Sequence, residues 1–182
     1  HQHPSKGGIS VGEYPEMWTG GMNSYDTSFG FMALLSANRL SEAEKVVAGW
    51  QRLLPVMRKK TQEYGLPGAA FPAPITRNGG FTKKYQDATR ESFLEMRHFI
   101  TANIAIHAWQ LYQYTGQLRI LKEYWDCLSE PVAFLLGACV NEYENHAEII
   151  RSSGPNGKER IDGKVVYNPN PIRSIMTTVE AV

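Results

Sequence analysis

The chain has 182 residues, 42% of them hydrophobic, and its 19 Lys and Arg against 18 Asp and Glu leave a net charge of +1. That balance excludes a basic footprint for nucleic acid or an anionic membrane, and the length suits one domain with its own core. No run approaches the roughly 18 apolar residues of a membrane span, and no signal peptide is visible. Cys127 and Cys139 fit neither a disulfide framework nor a metal-ligand spacing, and they read as packing thiols.

Residues 1–21 read as a loop from their Gly, Pro and Ser content. Asp26 then precedes T-S-F-G-F-M-A-L-L-S-A, whose bulky residues at 29, 31, 32, 34 and 35 suit a buried helix. Ser41 and Glu44 have the spacing of a capping box. They open an amphipathic helix with Val46, Val47, Trp50, Leu53 and Leu54 on one side. Pro55 is expected to end or kink that helix, and Gly65 to cap its continuation. Residues 66–86 read as one long loop, a length that usually serves function.

A second capping box, Ser92 to Glu95, is expected to open the most apolar helix of the chain. In R-H-F-I-T-A-N-I-A-I-H-A-W-Q-L-Y-Q-Y-T-G, Arg97 to Gly116, apolar residues fall on nearly every face. Such a helix is buried on more than one side, and His107 in its middle reads as core. Glu95, Arg97 and His98 stand at its mouth. Leu118 to Asp126 and Pro131 to about Asn145 are expected as two further helices, broken at Pro131. H-A-E-I-I-R and D-G-K-V-V-Y alternate around S-S-G-P-N-G and suggest a β-hairpin or folded loop. Asn170 and Pro171 start a last helix. Trp50, Trp109 and Trp125 sit at helical spacings expected of core. The chain starts H-Q-H-P-S and stops at V-E-A-V within that last helix, so both ends read as cuts. Paired helices, one more buried than the other, point to an all-α array of helical hairpins, a solenoid or toroid.

Several stretches resemble, in one consistent order, the catalytic domain of the maltose and kojibiose phosphorylase family, with its acid trehalase-like relatives. L-L-P-V-M-R-K-K-T-Q-E-Y-G followed by P-G-A-A-F-P resembles L-P-x-A-R-x-x-A with the later G-A-x-Y-P-W. The long apolar helix resembles H-I-x-A-D-I-A-Y-A-x-W-Q-Y-Y-x-x-T-G-D. S-Y-D-T-S-F resembles W-D-T-E, L-S-E-P-V-A-F fits L-x-E-x-A-x-F, and S-G-P-N-G stands where the family has G-P-D-E-Y-H.

The resemblance implies one domain over residues 1–182: part of a six-hairpin α/α-toroid, about half a ring, with a small β-hairpin near the C-terminus. It implies an inverting glycoside hydrolase or disaccharide phosphorylase acting on α-linked glucosides. No cofactor is implied, although inorganic phosphate is an alternative acceptor. Inversion needs a general acid and an opposed base or phosphate. Where the family has its acid glutamate, this chain has Asn156 and Gly157, so Glu159 becomes the candidate acid or else a solvated charge. Asp26 resembles the family's sugar-binding aspartate, a role compatible with N-capping the helix after it. Glu95, Arg97 and His98 are candidate sugar ligands, with capping or structural roles as the alternative. Trp18 is a candidate stacking platform. The competing reading is a non-catalytic toroid that binds a glycan or a protein. An open toroid would also leave apolar faces to be covered by self-association.

Overall fold

A computed structural model describes residues 26–71, 89, 90, 93, 99–142, 147–149, 158–161 and 164–167. The packed body is helical: α1 (Asp26–Ser36), α2 (Leu40–Glu63), α3 (Phe99–Thr115), α4 (Leu118–Glu123) and α5 (Trp125–Cys139). The expected helix 170–182 and the capping box at Ser92 lie outside the described residues. As its composition requires, α3 packs against each of the other four helices. Ala102, Ile104, Ala105, Ala108 and Leu111 are buried among them, and so is His107.

Three helices end by recognisable chain chemistry. Asn38, with φ 55, closes α1, as the Arg39 amide reaches the Leu34 carbonyl at 2.8 Å and the Asn38 amide reaches Leu35 at 2.9 Å. That is a Schellman cap with asparagine in the left-handed position. Gly65, with φ 70, repeats the motif on α2, where its own amide bonds Gln62 at 2.9 Å and that of Leu66 bonds Thr61 at 3.3 Å. Gly116 ends α3 with φ 63 and a single bond to Tyr112 at 2.8 Å. The caps expected at Gly65 and Gly116 are therefore present.

Several expectations need correcting. Pro55 does not end α2, and Pro131 sits inside α5 rather than at its start. The break falls instead at Tyr124, between α4 and α5. An internal proline costs a helix about 3 kcal/mol. Here Val46, Val47, Trp50, Leu53, Leu54, Met57 and Thr61 form one buried stripe across Pro55, and keeping that stripe on the core outweighs the lost bond. The Ser41–Glu44 capping box does not form. Ser41 Oγ donates to Glu42 at 2.9 Å. Glu44 turns to the Arg119 guanidinium at 2.6 and 3.1 Å, with the Tyr124 hydroxyl at 3.3 Å. A tertiary ion pair has displaced a local cap.

α1 is not buried all round: Phe31 and Leu35 are in the core, whereas Phe29 and Met32 are exposed. Trp50 is fully buried, but Trp109 and Trp125 are 43% and 55% exposed, against the expectation that all three were core. α5 ends at Cys139 rather than near Asn145. The two alternating runs do not pair with each other. β1 (Val140–Glu142) pairs antiparallel with β2 (Ala147–Ile149), and β3 (Lys158–Ile161) with β4 (Lys164–Tyr167). The register of the second pair runs from Lys158 opposite Tyr167 to Ile161 opposite Lys164.

The expected loop after Gly65 begins as core. Leu66, Ala69, Ala70 and Phe71 are buried, and their amides need partners. Glu130 accepts from Ala69 at 3.2 Å. Thr61 Oγ1 accepts from Ala70 at 2.9 Å while donating to Met57, and Thr101 Oγ1 accepts from Phe71 at 2.9 Å. Adjacent amides thus join the end of α2 to the start of α3, so these helices run antiparallel. α1 turns back into α2 over three residues, so α1 and α3 both direct their N-termini toward the end of α2.

On the other side, Arg58 of α2 holds the Glu130 carboxylate of α5 through both Nε and Nη2. Tyr64 stacks on Phe93 with ring centroids 4.3 Å apart, and Phe93 meets Phe134 edge-on at 6.1 Å.

Two glycines separate backbone strain from close packing. Both have positive φ, but a Cβ at Gly65 meets nothing within 4 Å, whereas one at Gly68 would lie 2.7 Å from the Phe134 amide nitrogen. Gly65→Ala should cost about 1 kcal/mol. Gly68→Ala should cost clearly more, because α5 must shift as well; equal losses in urea unfolding would contradict that packing. Trp50→Ala should cost about 3–5 kcal/mol and Trp109→Ala a small fraction of it, a contrast the same measurement reads.

Candidate functional site

Of the residues expected at a site, Trp18, Glu95, Arg97 and His98 lie outside the described residues. Asp26 is the first residue of α1. Glu159 lies on β3 with Val166 as its cross-strand partner, so it belongs to a regular ladder rather than to an open turn. Among the described residues, then, the expected constellation is represented by two backbone positions. Asp26 lies in a helix that runs in the same direction as α3, and Ser28 of α1 lies beside His107 of α3.

That contact is the polar feature that sequence reading missed. Ser28 Oγ and His107 Nε2 are 3.3 Å apart, and the imidazole stacks on Phe31 with ring centroids 4.2 Å apart. The stack follows from helix spacing: Ser28 and Phe31, three residues apart, share the face of α1 turned to α3. His107 is 1% exposed, and its Nδ1 has no hydrogen-bond partner among the described residues. Ser28 is only half-buried. No signal in the sequence pairs residues 79 positions apart; mid-helix placement among apolar residues identified His107 as core and nothing more.

Burial pushes His107 down to about pKa 3, because desolvation penalises the imidazolium. The ring is neutral at ordinary pH. It therefore offers one donor and one acceptor nitrogen, not a charge. In a Ser–His–acid arrangement a third group orients the far nitrogen. That nitrogen is Nδ1, which has no partner among the described residues, so the geometry shown is a polar contact.

Other buried ionisable groups face structure. Cys127 Sγ donates to Gln51 Oε1 at 3.0 Å, and burial raises its thiol far from the thiolate range. This matches a packing thiol and not a reactive one. Desolvation, then the charge of Glu44, likewise raises Tyr124. Among the described residues no group of three His, Cys, Asp or Glu is placed to hold a metal ion. Nor, among them, is any helix long and apolar enough to cross a membrane. Compared with protein-family models and with curated proteins, the chain matches none.

His107 should leave a signature in acid. Unfolded, the imidazole takes a proton below about pH 6.5; folded, it stays neutral until about pH 3. Between these values the unfolded state holds the extra proton. Stability is therefore full above about pH 6.5 and falls as pH drops, by up to about 1.4 kcal/mol per unit. His107→Leu should flatten that fall between pH 6.5 and 5, above the range where most carboxylates titrate. Urea unfolding at several pH values, with an unchanged slope in the variant, would refute a neutral buried imidazole.

Proposed function

We propose that this chain is a carbohydrate-active protein of the six-hairpin α/α-toroid kind, cleaving α-linked glucosides with inversion by hydrolysis or phosphorolysis. The observation that carries the reading is that two of the matched stretches lie on neighbouring helices that run in the same direction. The aspartate of the S-Y-D-T-S-F stretch lies in α1, and the matched stretch from Phe99 to Thr115 forms α3. On this reading Asp26 accepts hydrogen bonds from sugar hydroxyls, together with Glu95, Arg97 and His98. Trp18 stacks on a pyranose face, and Glu159 is the acid.

A second reading, a non-catalytic glycan- or protein-binding module, draws support from β3. Asn156 and Gly157 occupy the place of the family's acid, and Glu159 belongs to a paired strand. Titration calorimetry and product analysis with α-glucosyl disaccharides, with and without inorganic phosphate, separate the two. Turnover that falls about 10²–10⁴-fold in Glu159→Gln, with binding retained, supports the enzyme. Binding without turnover supports the module, and absence of both removes the carbohydrate reading. Trp18→Ala is expected to weaken sugar binding several-fold and leave the melting temperature nearly unchanged.

A further inference from the structure

α5 is apolar on the side that faces away from the core as well as on the side that faces it. Phe134 and Cys127, both fully buried, mark the inner side. On the opposite side, at helical steps of four, three and four, stand Trp125, Ser129, Val132 and Leu136. Trp125 and Leu136 are exposed, and Ser129 and Val132 are half-buried. The acidic residues of α5, Asp126 and Glu130, turn to Arg58 at one flank. A helix side that faces water normally carries polar or charged residues. The open side of α3 obeys that rule, since Gln110 and Gln113 accompany Trp109 and Tyr114 there. The outward side of α5 does not.

An uncharged helix side can be covered by a second copy of the chain or by another helix of the same chain. Size separates the two. The 15 residues of α5 make a rod about 22 Å long and about 10 Å wide, so one side offers roughly a few hundred Å². A stable interface between proteins takes about 800 Å² from each partner. A helix of the same chain needs no such area, because its linker keeps it close.

Residues 171–182, which lie outside the described residues, have the pattern such a helix requires. Ile172, Ile175, Met176 and Val179 recur at steps of three, one and three, which gathers them on one side of a helix. Arg173, Ser174, Thr177 and Glu180 fall on the other side. At about 1.5 Å per residue that segment would extend about 18 Å, against about 16 Å from Trp125 to Leu136. Among the described residues α5 is also the last helix before the segment, and consecutive elements usually pack as neighbours.

We propose that residues 171–182 form a helix that packs along the outward side of α5, with Ile172, Ile175, Met176 and Val179 covering Trp125, Val132 and Leu136. α5 then lies between the core and one further helix, which accounts for its uncharged outward side. The contact is independent of what the chain binds.

Hydrogen exchange and NMR contacts between methyl groups, both on the whole chain, test this. Amides of residues 175–182 are expected to be protected by about tenfold or more, to a degree that does not change with protein concentration. The Leu136 methyls are expected to lie against those of Ile172, Ile175 or Val179. Leu136→Asp puts an unpaired charge into the contact and should lower that protection by about tenfold or more. Exchange at the buried Ala105 and Ala108 of α3 should stay as it was. If Leu136→Asp weakens the helical body as well, Ser129→Asp places the charge on the same side without removing an apolar contact, and the same loss is expected. Absence of protection over 175–182, or protection that survives these substitutions, would overturn the proposal. So would methyl contacts from the segment to a helix other than α5, and protection that rises with concentration would replace it by a second copy.

Discussion

The amides of Ala69, Ala70 and Phe71 are the constraint on which the helical body depends. They enter the core directly after α2, and buried N–H groups must be paired. A strand or helix partner is not available to an isolated irregular segment, so three helices supply acceptors: the Glu130 carbonyl from α5 and the Thr61 and Thr101 hydroxyls from α2 and α3. Each acceptor fixes a distance between one helix and the segment. Three such distances fix the helices relative to one another. Gly68 follows from the same requirement, because bringing the Ala69 amide to Glu130 brings the backbone of residue 68 against α5. The Arg58–Glu130 pair adds to the same junction from the surface. It is partly exposed, and on that ground ranks below the buried amide bonds in holding the helices together.

The sequence showed which helix would be central, because apolar residues on all faces of one segment have few structural explanations. It also showed the caps at Gly65 and Gly116, where glycine answers a local backbone need. Both of these are local signals. The errors arose where a distant partner outweighed a local preference. Ser41 and Glu44 have the spacing of a cap, but Arg119, 75 residues away, takes the carboxylate. Pro55 and Pro131 read as breaks, but a buried stripe continuing past each of them keeps the helix intact. Trp109 and Trp125 read as core because large aromatic residues usually are. On a helix that is apolar all round, however, periodicity cannot say which sector the neighbours leave uncovered.

The candidate site was legible mainly as positions. That Asp26 enters a helix follows from its place before an apolar run. The direction shared by α1 and α3 was not legible, since it depends on two threonine hydroxyls binding consecutive amides. Nor was the Ser28–His107 contact. It arises from α1 lying offset along α3, and an offset between helices leaves no mark on the periodicity of either one.

Two buried nitrogens among the described residues lack partners, Trp50 Nε1 and His107 Nδ1, and they are not equivalent. Each orphan costs about 1–3 kcal/mol. A buried tryptophan removes about 150–250 Å² from water, worth roughly 4–6 kcal/mol at 25 cal/mol per Å². The ring of Trp50, fully buried and edge-on to Phe71 with centroids 6.3 Å apart, offsets its own unpaired N–H. Packing alone accounts for it. Imidazole has less apolar surface and carries two polar nitrogens, so burial returns less and demands more. A residue chosen for packing at position 107 would be apolar. The hydrogen bond to Ser28 is what distinguishes histidine there, and it is made to a side chain that reaches the surface. What histidine returns for that cost is one polar contact between α1 and α3, beside the stack on Phe31.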